Sequence, residues 1–171
     1  EVPYVTGFYD NTVICYSYSK SLSLPGERIG YLVIPDALKD SQEVFNAATI
    51  ANRVMGAVNA PSLMQRVIKR CVDENVNLEA YDRNRNLLYN GLRDLGFECI
   101  KPEGAFYLFL KSPEADEKKF CASCKKYNIL VVPGSSFACP GYVRISYCVS
   151  YGQIERSLPA FRKVAADYGL V

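Results

Sequence analysis

Residues 16–31 read Tyr16-Ser-Tyr-Ser-Lys-Ser-Leu-Ser-Leu-Pro-Gly-Glu-Arg-Ile-Gly-Tyr31, and this stretch organises the rest of the chain. The run 12–16 ahead of it is β-branched and aromatic, which predicts a strand. The apolar run 29–34 has the length of a second strand. Pro25-Gly26 marks a turn between the two strands. The sequence therefore predicts that Lys20 lies on a loop just beyond the end of the first strand.

The polar side chains of this stretch suit an anionic cofactor that carries an aldehyde. The amine of Lys20 can form a Schiff base with a carbonyl carbon. The hydroxyls of Ser17 and Ser19 can hold a phosphate, and the Arg28 guanidinium can do so through two parallel hydrogen bonds. Ser-x-Ser-Lys alone is more typical of a polar surface loop, so the interpretation depends on the whole pattern.

The bulk composition limits the function classes that are open. The chain has 171 residues, of which 49% are apolar, so one domain or two small ones with a sizeable core are expected. Its net charge of +2, from 20 basic and 18 acidic side chains, predicts neither a nucleic-acid partner nor a membrane surface. No apolar run approaches membrane-spanning length and no signal peptide is recognisable, so we expect a cytoplasmic protein. The chain starts with Glu1 rather than Met and is expected to begin within a longer protein.

The chain contains no histidine, which excludes Ser-His-Asp triads, Cys-His pairs and imidazole metal sites within it. Proton transfer must then use Lys, Asp, Glu, Tyr or Cys, and a mechanism centred on lysine satisfies this condition. The seven cysteines include a single Cys-x-x-Cys, at 121–124, without a second pair. We interpret these cysteines as reduced structural thiols and expect no metal site.

Hydrophobic periodicity changes along the chain. Helices are predicted after Asp40, after Asn59 and from Asn77 to about Leu95. Beyond this point, apolar runs predict four short strands, a helix between them and a terminal helix that begins near Ser150. The strands are predicted at 97–100, 105–110, 129–132 and 142–147. The pattern predicts a mixed first part and a small α+β unit after it.

The stretch around Lys20 resembles the cofactor-lysine motif of pyridoxal-phosphate-dependent aminotransferases of fold type I, class I/II, the aspartate aminotransferase-like enzymes. That family carries Ser-x-Ser-Lys, a short spacer and Gly-x-Arg-x-Gly-Tyr. The matching positions are Ser17, Ser19, Lys20, Gly26, Arg28, Gly30 and Tyr31. Three further segments, 102–107, 132–137 and 142–147, resemble family segments in the family's order, although Ala138 stands where the family often has Gly.

The resemblance implies a role for each matched side chain. Lys20 would be the catalytic residue, holding pyridoxal 5'-phosphate as a Schiff base and moving the substrate's proton. Ser17, Ser19 and Arg28 would bind the phosphate of the cofactor. Lys20 would also belong to the cofactor-binding residues, through the carbonyl carbon of the cofactor. Arg144 would bind the α-carboxylate of the substrate. The implied reaction transfers an amino group between an amino acid and a 2-oxo acid, in an enzyme that is expected to be a homodimer.

The resemblance also implies which part of the fold is present. It covers the chain from about Tyr16 to its C-terminus, and the family's N-terminal phosphate loop and ring-binding residues have no counterpart here. We therefore expect the C-terminal half of the fold, in which an α/β part of the large domain is followed by a small α+β domain. Residues 1–75 would form the C-terminal portion of the large cofactor-binding domain with its connecting helix, and residues 76–171 the small C-terminal domain. Such a fragment is expected to be inactive alone.

Two other functions remain open at this level. A lyase or decarboxylase of the same fold would use the same lysine, and a non-catalytic dimerisation or binding fragment would use none of this chemistry. The amino donor cannot be read from the sequence. Arg53 could reach an acidic substrate in a neighbouring subunit, but an arginine on a helix surface is the more common situation.

Overall fold

The computed structural model describes residues 3–171 and divides the chain into two compact units, Glu1–Val76 and Asn77–Val171. Both units mix helices and strands, so the expected fold class is confirmed. Within residues 3–171, each helix is too short or too polar to cross a membrane.

The first unit is built around one antiparallel pair of strands. It contains β1 (Ile14–Ser17), α1 (Tyr18–Ser21), β2 (Gly30–Val33), α2 (Ser41–Val54) and α3 (Ser62–Cys71). In the pair, Ile14 lies opposite Val33 and Ser17 lies opposite Gly30. The segment that joins the two strands contains α1 and a 3-10 turn, Pro25–Glu27, so both features lie at one end of the strand pair.

Helix α2 forms where the apolar spacing predicts it, but its N-terminus lacks the side-chain cap that was expected at Asp40. Asp40 has a left-handed backbone, with φ of 57°, and its side chain makes no capping hydrogen bond. No residue of α2 is buried, and several of its apolar side chains are exposed; Phe45 is 56% exposed and Val54 81% exposed. Ile29 and Ile68 are the buried hydrophobic residues among those described in the first unit. This unit therefore has little hydrophobic core of its own.

The second unit has a three-stranded antiparallel sheet and three helices. Its elements are α4 (Leu78–Asp94), β3 (Tyr107–Lys111), α5 (Glu117–Lys126), β4 (Val132–Pro133), β5 (Tyr142–Ser146) and α6 (Tyr151–Asp167). The strand order is β3-β5-β4. Strand β5 is therefore central: β3 pairs with all five of its residues, and β4 pairs with Val143 and Arg144.

A continuous core holds the second unit together. The three leucines predicted to face the core, Leu88, Leu92 and Leu95, are buried, and the Asn77 side chain accepts a hydrogen bond from the Ala80 N–H at 2.9 Å, as expected of a helix cap. Buried side chains from the sheet and the other helices complete this core, among them Phe97, Leu108, Leu110, Phe120, Val143, Phe161 and Val164. Full burial of such a side chain contributes about 1.5–3 kcal/mol each. The second unit thus has the core that the first unit lacks.

Some predicted details of the second unit are wrong. Residues 97–100 do not form a strand, because only Cys99 pairs with a neighbour, Leu110. The helix that ends just before this run and Pro102 just after it, which cannot donate to a ladder, leave little length for pairing. Helix α6 begins after Ser150 as expected, but the serine side chain makes no capping hydrogen bond.

Candidate functional site

The predicted loop at Lys20 is a single helical turn. Ser17 ends β1 with an extended backbone, and its Oγ accepts a hydrogen bond from the Ser19 N–H at 3.2 Å, which caps the four-residue helix α1. Ser17 Oγ also donates to Ser19 Oγ at 2.9 Å, so the two serines of the motif contact each other. Lys20 is the third residue of this turn, and the prediction of an irregular loop is wrong there. The turn still lies between two strands, as predicted.

The structure brings Ser17, Ser19 and Arg28 together at a small cavity of about 160 Å³, which Ile29 and Gly30 complete. Arg28 has a left-handed backbone, with φ of 52°, and donates one guanidinium hydrogen bond to the Pro25 carbonyl at 2.8 Å. A non-glycine residue held in this region is uncommon and strained, which is often seen at ligand sites. Two hydroxyls beside a guanidinium form a site suited to an anionic oxygen group. Lys20 is outside the residues that line the cavity.

The cavity is large enough for one functional group of a cofactor, such as a phosphate, but not for a whole cofactor. Drug-sized ligands occupy pockets of roughly 300–1,000 Å³, so this space matches a group such as phosphate rather than an aromatic ring with its substituents. Ser21 Oγ, one residue beyond Lys20, is buried and has no hydrogen-bond partner within residues 3–171. Sequence reasoning missed Ser21, and a third serine directly after the lysine was the available signal.

Gly30 is required by the close approach of the two strands. A Cβ built at this position would lie 2.3 Å from the Tyr16 carbonyl oxygen, a distance that real Cβ atoms do not adopt. Gly30 also lines the cavity, so displacement of its backbone would change the shape of that cavity.

We expect Gly30→Ala to destabilise the 171-residue chain by about 1–3 kcal/mol, because β1 and β2 must separate to admit the methyl group. Urea unfolding followed by circular dichroism would measure this change. Gly26→Ala is the matched control, since a Cβ there has nothing within 4 Å. Equal stability of the two variants would show that the strands adjust without cost.

Three tyrosine rings surround the same turn. Tyr16 stacks on Tyr31 with ring centroids 5.0 Å apart, and Tyr18 meets Tyr16 edge-on at 5.3 Å. Burial raises the pKa of the Tyr31 hydroxyl, and the nearby hydroxyls of Tyr18 and Tyr16 raise it further. Aromatic pairs of this kind add about 0.5–1.5 kcal/mol each beyond area burial. The rings therefore stiffen the strand ends from which the Lys20 turn extends.

Arg144 belongs to the second unit and lies on the central strand. It is half-buried on β5, opposite Phe109 of β3 and Val132 of β4. Its guanidinium carbon lies 3.7 Å from the centre of the Phe137 ring and 4.1 Å from the centre of the Tyr107 ring. The matched segments 102–107, 132–137 and 142–147 thus meet at this one side chain.

The Cys-x-x-Cys cysteines are part of the hydrophobic core. Cys121 and Cys124 lie on α5, and both are buried with free thiols. Burial, together with the neighbouring Cys121, raises the pKa of the Cys124 thiol to about 12, so the thiolate needed for redox or metal chemistry is disfavoured. Arg53 lies exposed in the last turn of α2.

Comparison with known proteins identifies the family. A family model described as aminotransferase class I and II matches residues 6–161. The chain belongs to this family. An aminotransferase from Eubacterium rectale has a structure that matches with a TM-score of 0.88 and 50% identity, over 98% of this chain and 42% of that one.

Sequence relatives in the family support the same assignment. Aromatic-amino-acid aminotransferase 2 of Thermococcus litoralis is 31% identical over 96% of this chain and 44% of its own length. Aspartate aminotransferase of Bacillus subtilis is 33% identical over 90% of this chain and 41% of its own length. The chain therefore spans less than half the length of these relatives. The two relatives have similar identity to this chain, but one is named for aromatic amino acids and the other for aspartate.

Proposed function

We propose that this chain is the C-terminal part of a pyridoxal-phosphate-dependent aminotransferase. The observation that carries the proposal is the small anion cavity formed by Ser17, Ser19 and Arg28 at the helical turn of Lys20. The membership of the chain in the aminotransferase family supports it. The relatives compared above are named aminotransferases, which favours amino transfer over a lyase or decarboxylase reaction and over a non-catalytic fragment.

The residues of the first unit fit the cofactor at its phosphate end. Ser17 and Ser19 would donate their hydroxyls to phosphate oxygens, and Arg28 would add the guanidinium hydrogen bonds that Pro25 does not use. Lys20 would hold the cofactor's carbonyl carbon covalently through Nζ. When bound, pyridoxal 5'-phosphate supplies an electron sink for charge that develops at the substrate's α-carbon.

Lys20 and Arg144 would act on the substrate. Once displaced by the incoming amino group, the Lys20 amine can carry the proton that leaves the α-carbon, a role that histidine cannot fill in this chain. Arg144 would bind the α-carboxylate of an amino acid or a 2-oxo acid through a bidentate pair, which orients the substrate.

The two units correspond in this proposal to different parts of the enzyme. Residues 1–75 would be the C-terminal portion of the large cofactor-binding domain, and residues 76–171 the small domain. The exposed apolar side chains of α2 support a first unit that is completed by further protein, since large exposed apolar surfaces mark interaction sites. A cytoplasmic homodimer is the assembly that we propose for the complete enzyme.

The proposal is tested by comparing the complete protein that contains this chain with the 171-residue chain alone. We expect the complete protein to exchange amino groups between amino acids and 2-oxo acids when supplied with pyridoxal 5'-phosphate. The chain alone should show no turnover, because the ring-binding side of the site is absent. Release of 2-oxo acid from a panel of amino donors, aspartate and aromatic amino acids included, would measure both.

Two outcomes would contradict the proposal. One is a complete protein that binds the cofactor but catalyses only decarboxylation or elimination, which would favour the alternative reactions. The other is robust turnover by the chain alone, which would show that the site is complete within these residues.

A further inference from the structure

We propose that Phe137 and Tyr107 are positioning residues that hold the Arg144 guanidinium, and that Glu117 fixes the segment that carries Phe137. This inference deepens the proposed function, because it concerns the side chain to which carboxylate binding is assigned there. We call the two rings the aromatic bracket of Arg144.

The aromatic bracket approaches Arg144 from both sides of β5. Tyr107 comes from β3, two residues along from Phe109, which is the register partner of Arg144. Phe137 comes from the 3-10 turn Gly134–Phe137, which follows β4 on the other side. Both ring centres lie within 4.1 Å of the guanidinium carbon, well inside the roughly 6 Å range of a cation–π contact. The two rings therefore restrict the movement of the guanidinium from both neighbours of β5.

The hydrogen-bonding edge of Arg144 remains available. Within residues 3–171, no carboxylate forms an ion pair with Arg144 and its guanidinium donates no hydrogen bond. Ring stacking uses the faces of a guanidinium, whereas carboxylate recognition uses its in-plane N–H groups. The bracket can thus hold the side chain in place without consuming the donors that a ligand needs, and a side chain already ordered loses less entropy on binding.

Glu117 connects α5 to the segment that carries Phe137. Glu117 is only 8% exposed, and its carboxylate accepts a hydrogen bond from the Gly141 N–H at 3.3 Å. The nearby Ser135 hydroxyl, followed by backbone N–H groups, lowers the pKa of Glu117, so the carboxylate is charged at neutral pH. Ser135 and Gly141 stand on either side of Phe137 in the sequence. The buried carboxylate therefore holds the chain just after the turn through Gly141 and lies near Ser135 within the turn.

The turn needs this attachment, because the Phe137 side chain is 41% exposed and has limited packing of its own. The backbone nearby is closely packed, since a Cβ at Gly134 would lie 2.1 Å from the Cys139 carbonyl oxygen. Loss of the Glu117 charge would weaken the hydrogen bond from the Gly141 N–H, because a neutral acceptor oxygen binds a donor less strongly than a carboxylate oxygen. The turn would then loosen, and Phe137 would cover the guanidinium for less of the time.

The test uses nuclear magnetic resonance on the 171-residue chain labelled with ¹⁵N. The Arg144 Nε–Hε resonance reports ring stacking through its upfield shift, and titration with succinate reports carboxylate binding. We expect Phe137→Leu to move the resonance towards the position of exposed arginines and to raise the succinate Kd by about two- to five-fold, as expected for one cation–π contact. Glu117→Gln and the milder Ser135→Ala should shift both readouts in the same direction. Phe137→Tyr keeps a ring and should restore wild-type values.

Matched controls separate the bracket from general destabilisation. Phe8→Leu and Glu155→Gln change exposed side chains of the same types and should alter neither readout. Wild-type Kd and shift in Phe137→Leu would overturn the role of the bracket. Wild-type values in both Glu117→Gln and Ser135→Ala would overturn the role of Glu117. Arg144→Ala tests the proposed function separately, because succinate binding that survives it would remove the carboxylate role itself.

Discussion

Replacement of Lys20 by Ala in the complete protein is expected to abolish covalent attachment of the cofactor and to lower turnover severely. Loss of general acid–base catalysis alone costs about a hundred- to ten-thousand-fold. Loss of the amine that holds the cofactor's carbonyl carbon adds to this cost. The fold should persist, because Lys20 is exposed on a turn whose cap is made by Ser17 and Ser19. Two measurements check the prediction: the rate of 2-oxo acid release, and the mass of the Lys20 peptide after borohydride reduction.

Lys39→Ala is the matched control for this experiment. Lys39 is an exposed lysine of the same unit that belongs to no matched motif, and its replacement should leave both the mass label and the rate unchanged. Near-normal turnover and a retained cofactor label in Lys20→Ala would show that another amine carries the chemistry.

Replacement of Arg144 by Ala is expected to raise the KM for amino acid and 2-oxo acid substrates by about a hundredfold while the cofactor stays attached. Two hydrogen bonds to a charged group contribute about 1.5–3 kcal/mol each, and part of this is recovered by water in the variant. Initial rates over a range of substrate concentrations, with the mass label at Lys20 beside them, would measure both effects.

The control variants for Arg144 distinguish charge from shape. Arg144→Lys keeps a positive charge but loses the planar fork, so its KM should lie between those of the wild type and Arg144→Ala. Arg162→Ala removes an exposed arginine of α6 and should have no effect. A fall in kcat with unchanged KM in Arg144→Ala would contradict a role in binding the substrate's carboxylate.

The matched motifs predicted which residues lie together better than they predicted the local structure around them. Ser17, Ser19 and Arg28 are brought to one cavity, as a common role requires, although whether they bind phosphate stays a prediction. The helical turn at Lys20 was missed because a one-turn helix has no hydrophobic periodicity. It depends instead on a hydrogen bond between Ser17 and the Ser19 backbone, which a β-turn sequence could also make.

Long, strongly periodic segments could be predicted and short ones could not. Helix α4 was predicted with its cap at Asn77 and its buried leucines, because 17 residues carry a repeated apolar spacing. The run 97–100 looked like a strand but pairs only at Cys99, because pairing depends on where the neighbouring chain begins and ends. The burial of Asn84, which donates to the carbonyls of Tyr147 and Val149, had no local signal at all.

The order of residue types alone determined that this chain carries the lysine motif, the other matched motifs and the helical spacing of its family. Tertiary structure decided which of these residues share a site, because contacts between distant segments are not encoded in any one of them. Arg144 meets Tyr107 and Phe137 only because β5 lies between β3 and β4. Glu117 meets the Gly141 N–H only because α5 packs beside β4 and β5. Packing of the sheet, rather than spacing along the chain, sets those distances.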